Sequence, residues 1–95
     1  MSVTEWTQIG SNIDGDAAGD QSGWSVSLSS DGSVVAIGAP YNDGTETWAG
    51  HVRVYKNVSG TWTQVGADID GEAKYDNLGY SVSLSSDGSV VAIGA

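Results

Sequence analysis

Apolar side chains recur at every second position within the candidate strands of this chain, the period of an extended strand, and no window shows the wider spacing of an amphipathic helix. Within residues 25–29, Val26 and Leu28 fall on one side and Ser25, Ser27 and Ser29 on the other. Asp31-Gly32 then predicts a tight two-residue hairpin, because both residues tolerate a positive φ. Val34 to Ala39 is small and apolar throughout, which suits a strand covered on both faces. A longer loop over residues 40–50 leads to a third strand at 51–56, with Val52 and Val54 on one face. Asn57-Val58-Ser59-Gly60 turns that strand into a fourth, at 62–66.

The pattern repeats. Placing Trp6 over Trp62 gives an offset of 56, and the 34 aligned pairs that follow match at 25 positions. Residues 25–39 recur unchanged as 81–95, the mark of a recent duplication or a deliberate copy. Four antiparallel strands in a period of about fifty residues predict one β-propeller blade. Side-chain size agrees: serine, alanine and glycine fill the first strands, where blades crowd the axis, and Arg53, Tyr55 and Trp62 stand on the outer ones. A β-sandwich with duplicated hairpins is the competing all-β reading. The expected organisation is a leader at 1–5, an outer strand plus acidic loop at 6–24, and a complete four-strand blade at 25–66. A second acidic loop follows at 67–80, then the first two strands of a further blade at 81–95.

Gly23-Trp24-Ser25-Val26-Ser27-Leu28, Asp31-Gly32, Val35-Ala36-Ile37-Gly38-Ala39-Pro40, Gly50-His51-Val52-Arg53-Val54-Tyr55 and Trp62-Thr63-Gln64 together resemble the FG-GAP repeat family. That family includes the integrin α-subunit propeller and many bacterial surface proteins. The Gly-Ala-Pro element stands as Gly38-Ala39-Pro40, whereas Ser22-Gly23 and Leu78-Gly79 replace the Phe-Gly element. The resemblance implies a propeller, often one used in adhesion or recognition and often extracellular or on the cell surface, and it implies no particular ligand.

At 95 residues and a period of 56, the chain holds about 1.7 repeats, fewer than the roughly four to eight blades that close a propeller. Unpaired strand edges are templates for pairing. The chain is therefore expected to complete its blades with other copies of itself, as a cyclic homo-oligomer of three or four chains. A piece excised from a longer propeller is the alternative.

Charge narrows the partners. With 12 acidic and 3 basic residues the formal charge is −9, and only Arg53, Lys56 and Lys74 could meet phosphates, which argues against nucleic acid. There is no cysteine for disulfides or thiolate chemistry. No apolar run is long enough for a membrane helix, and residues 1–5 lack the pattern of a signal peptide, so no membrane insertion is expected and no compartment is indicated.

Asn12, Asp14, Asp16 and Asp20 sit at offsets of zero, two, four and eight, repeated by Asp68, Asp70, Glu72 and Asp76. Alternating oxygens of this kind can wrap a calcium ion. The integrin-type repeats bind calcium with a similar spacing between the first two blade strands, where this chain has only the Asp31-Gly32 turn. Capping of turns by the same carboxylates is the competing account, and the reading commits to no metal and no cofactor. In the 40–50 loop, Tyr41 and Trp48 with Asp43 and Glu46 could stack a sugar ring or grip a peptide, or Trp48 could simply pack over the blade edge. An enzyme is not expected: Gly23-Trp24-Ser25-Val26-Ser27 misses the nucleophile elbow and opens a strand, and the lone His51 has no placed partner. The expected function is non-catalytic self-assembly, with a calcium-dependent adhesion or carbohydrate- or protein-recognition module as the alternative.

Overall fold

A computed structural model describes residues 6–44 and 46–95; the expected leader at 1–5 lies outside the described residues. Among the described residues the chain is all-β, with antiparallel ladders and no helix. Four strands follow one another in space as in sequence: β1 (Ser25–Leu28), β2 (Val34–Ala39), β3 (His51–Val58) and β4 (Thr61–Gln64). The closed turn between β1 and β2 sets their register, with Val26 opposite Ile37 and Leu28 opposite Val35. All six residues of β2 are buried, as its unbroken small apolar run requires, and with Ala49 and Val52 they form the core.

The two turns have exchanged their expected geometries. The β1/β2 connection is a four-residue turn closed by Ser29 N–H to the Val34 carbonyl, and only Gly32 within it has a positive φ, at 74°. Asp31 prefers to accept than to bend: its carboxylate takes the Ser33 N–H and the hydroxyls of Ser29 and Ser33. The tight two-residue turn is instead Ser59-Gly60, with φ of 52° and 87°, so β3 runs two residues further than its alternation suggests. Asn57 Oδ1 fixes it by accepting the Gly60 N–H at 2.9 Å.

A short β5 (Ile69–Asp70) extends the β4 side of the sheet by pairing with Val52 and His51 at the start of β3. Residues 6–10, where an outer strand is expected, form no ladder; that segment lies along β4 through the Trp62 indole N–H, which donates to the Ile9 carbonyl at 2.8 Å.

The duplicated segment forms β6 (Ser81–Leu84) and β7 (Val91–Gly94), a hairpin with the same register as β1/β2. It packs its β6 against β1 and β2. Ser25 Oγ donates to the Gly79 carbonyl at 2.7 Å, Leu84 N–H to Ser27 Oγ at 3.0 Å, and Ser30 N–H to the Ser86 carbonyl at 2.8 Å. The approach is close enough that a Cβ on Gly38 would overlap the Gly79 carbonyl, and one on Gly50 would overlap the Leu78 carbonyl. Glycine at these positions is what lets the second sheet seat on the first.

Candidate functional site

Two groups of chemically capable side chains stand out. The first is a row of aromatic rings on the loops at one end of the sheets. Tyr80 lies 5.4 Å from Trp24, Trp24 5.7 Å from Tyr41, Tyr41 5.1 Å from Trp48, and Trp48 5.8 Å from Tyr75, centroid to centroid. Three of the four contacts are edge-to-face, the arrangement the ring quadrupole favours. Trp24, Tyr41 and Trp48 join Gly19 and Gln21 around a cavity of about 410 Å³. Trp24 and Trp48 each leave nearly half their surface open.

The sequence holds this row in place by backbone bonds. Tyr75, Asn77 and Leu78 donate their N–H groups to the carbonyls of Thr47, Trp48 and Ala49 at 2.9, 3.0 and 2.8 Å. The Asn77 amide adds bonds to the Pro40 and Trp48 carbonyls, and Asp43 Oδ1 accepts the Trp48 N–H. Trp48, Tyr75 and Asn77 take left-handed φ values of 51°, 63° and 53°, costly for side chains of this size and sustained by those bonds. Tyr41 and Trp48 were legible in the sequence. Trp24, Tyr75 and Tyr80 were not, because residues 24, 41, 48, 75 and 80 share no local spacing, and Tyr75 and Tyr80 join the row only where the second sheet docks.

The second group is built on Arg53. Its guanidinium lies between two carboxylates, bidentate to Asp16 at 2.8 and 2.7 Å and to Asp68 at 2.8 and 3.0 Å. Gln64 adds a third donor to Asp68 at 2.7 Å. The Arg53 bonds and then the Gln64 bond hold the Asp68 carboxyl down at about 2, and Arg53 also lowers Asp16. The two carboxylates in turn raise Arg53. Buried His51 sits with Asp68 and Asp70, their ligating atoms within 4.8 Å of one another.

The eight candidate calcium ligands are thus placed as follows. Asp16 and Asp68 converge on Arg53, and Asp70 joins Asp68 beside His51. Asp20 is buried and accepts the Asn42 amide at 2.8 Å, which ties the first acidic loop to the 40–50 loop. Asp76 accepts the Ala73 N–H, and Asn12 accepts the Gln8 amide. Asp14 and Glu72 are exposed. Neither loop gathers its own four oxygens to one point through these bonds; the carboxylates are drawn together across loops by a cation of the protein itself. Arg53 went unread in the sequence as a site residue because its acidic partners lie 37 and 15 positions away.

The FG-GAP repeat family model matches residues 6–55. No curated protein and no solved structure matches the chain. No helix among the described residues is long and apolar enough to cross a membrane.

Proposed function

The chain belongs to the FG-GAP repeat family, and from that footing we propose that it is a non-catalytic propeller building block that assembles head to tail with copies of itself. One observation carries the reading. Where the two sheets of the chain meet, β1 offers Ser25 and Ser27, half-buried by the contact, while β6 turns Val82 and Leu84 inward. Their outward faces are the exchanged pair: Val26 and Leu28 on β1 stand 61% and 60% exposed, and Ser81 and Ser83 on β6 are exposed. Because residues 25–39 and 81–95 are identical, each free face has the same sequence as the partner that the other already uses inside the chain.

Docking the Val26/Leu28 face of one copy on the Ser81/Ser83 face of the next would therefore repeat a contact the protein has already made once. Burying the two apolar side chains would contribute about 1–2 kcal/mol each, with serine-to-backbone bonds like those of Ser25 and Ser27 fixing the register. Such contacts are heterologous, and they close into a ring when the rotation per step allows it. Three or four chains would supply the blades a propeller needs.

Light scattering or sedimentation at micromolar concentration tests this. The expected species holds three or four chains, and Leu28→Asp on one face or Ser83→Arg on the other converts it to monomer without loss of the far-ultraviolet β signature. A stable 9.7 kDa monomer of the unaltered chain would overturn the proposal.

A further inference from the structure

Residues 19–24 and 75–80 are equivalent segments of the repeat, and their backbones are folded alike. Gly19 and Tyr75 have φ of 88° and 63°, Gln21 and Asn77 62° and 53°, Gly23 and Gly79 94° and 95°. Their internal bonds also correspond: Asp20 N–H to Ala17 and Asp76 N–H to Ala73, Trp24 N–H to Gln21 and Tyr80 N–H to Asn77, Gly23 N–H to Gly38 and Gly79 N–H to Gly94.

They differ in what they hold. Tyr75, Asn77 and Leu78 spend their N–H groups on the Thr47-Trp48-Ala49 stretch of the 40–50 loop. The equivalent N–H groups of Gly19, Gln21 and Ser22 have no partner among the described residues. The Gln21 side chain, standing where Asn77 grips the Pro40 and Trp48 carbonyls, likewise has none and lines the 410 Å³ cavity. Gly19 replaces the Tyr75 ring that packs on Trp48, and this leaves space on that wall. A left-handed glutamine is strained, and the backbone form that grips a loop at residues 75–80 stands here without one.

We infer that residues 19–24 are a docking site for the 40–50-type loop of another FG-GAP blade, taken up by three backbone hydrogen bonds from Gly19, Gln21 and Ser22, with the loop's aromatic side chain entering the cavity beside Trp24. The occupant's chemistry follows from the occupied copy: an exposed turn presenting three successive carbonyls, with an aromatic residue at the middle one. The chain's own loop is engaged by residues 75–78, so the occupant is carried by a different blade. The inference rests on the blade reading, and its occupant is a different element from the β6–β7 hairpin that self-assembly brings against β1.

The test uses the whole chain and a synthetic peptide of the Pro40-to-Gly50 sequence, read by amide hydrogen exchange and amide chemical shifts. Without peptide, the Gly19, Gln21 and Ser22 amides exchange at least tenfold faster than those of Tyr75, Asn77 and Leu78. With peptide, the first three shift and slow in exchange, with a dissociation constant on the order of a millimolar for three bonds and one indole. A peptide with Trp48→Gly, or the chain variant Ser22→Pro, which removes one donor, weakens binding at least threefold. Unchanged Gly19, Gln21 and Ser22 amides at saturating peptide, or equal binding of the Trp48→Gly peptide, would overturn the inference. The molar mass of the chain, measured alongside, reports on self-assembly separately.

Discussion

Replacing Arg53 by methionine removes one charge and keeps much of the buried stem, whose side chain is only 18% exposed. The loss can be worked from the carboxylates it leaves behind. Holding Asp68 at about 2 instead of 3.8 corresponds to about 2.5 kcal/mol of preference for the folded, charged form at full strength. Its side chain is 32% exposed and Gln64 supplies part of the depression, so the share lost with Arg53 comes to about 1–1.5 kcal/mol. Asp16, 51% exposed, adds no more than about 0.5 kcal/mol. A total near 2 kcal/mol lowers the melting temperature by about 10 °C for a chain of this length. Both aspartates are depressed in the folded state, so their contribution is full above the unfolded value near 3.8 and is lost as the pH falls towards 2. Thermal melts of wild type and Arg53→Met from pH 6 to pH 2 therefore start about 10 °C apart and converge below pH 4. A cycle with Asp68→Asn gives a coupling of about 1 kcal/mol. A gap that stays constant down to pH 2, or a coupling near zero, would refute the account of Arg53 as the cation that gathers the acidic loops.

Gly38→Ala forces a Cβ into the Gly79 carbonyl and the Ser25 hydroxyl; denaturant unfolding should show a loss of about 3 kcal/mol, and the Leu84 and Ser30 amides, which donate across the two sheets, should exchange faster. Asn77→Ala strips both amide bonds to the 40–50 loop and leaves alanine at φ 53°; an unfolding loss of about 2 kcal/mol, with increased exchange at Trp48 and Ala49, is expected. In Arg53→Gln, millimolar calcium should raise the melting temperature by several degrees through the released Asp16 and Asp68 carboxylates with Asp70 beside Asp68, while leaving the wild type within one degree; equal response of the two proteins would show that Arg53 and calcium do not compete.

Much of the strand order could be read from the sequence because it is written in local periodicity. Val26 and Leu28 alternate with serines, Val52 and Val54 with Arg53 and Tyr55, and the copied hairpin repeats the first. β5 escaped because two residues, Ile69 and Asp70, carry no period, and what makes them a strand is the stretch of β3 at His51 and Val52 that β4 does not reach. The turns were misassigned for a related reason. Asp-Gly and Ser-Gly both permit a two-residue turn, and the choice falls to the serines around Asp31, which supply donors that a wider turn can use. Acidic residues could be located but not allocated: whether Asp68 faces a metal or Arg53 depends on a strand 15 residues away.

Two identical hairpins in one chain also set a sorting problem during folding. β1 could form with β7 the same ladder it forms with β2, and β6 could take β2 in the same way, because the side chains that define register are the same. Only connection length separates the alternatives. Closing β1 on β7 spans more than tenfold more chain than closing it on β2, an entropic difference of about 2 kcal/mol. That margin operates within a chain. Between chains it vanishes as concentration rises, so refolding from denaturant should yield exchanged hairpins in proportion to protein concentration, and dilution, more than temperature, should govern the recovery of correctly paired material.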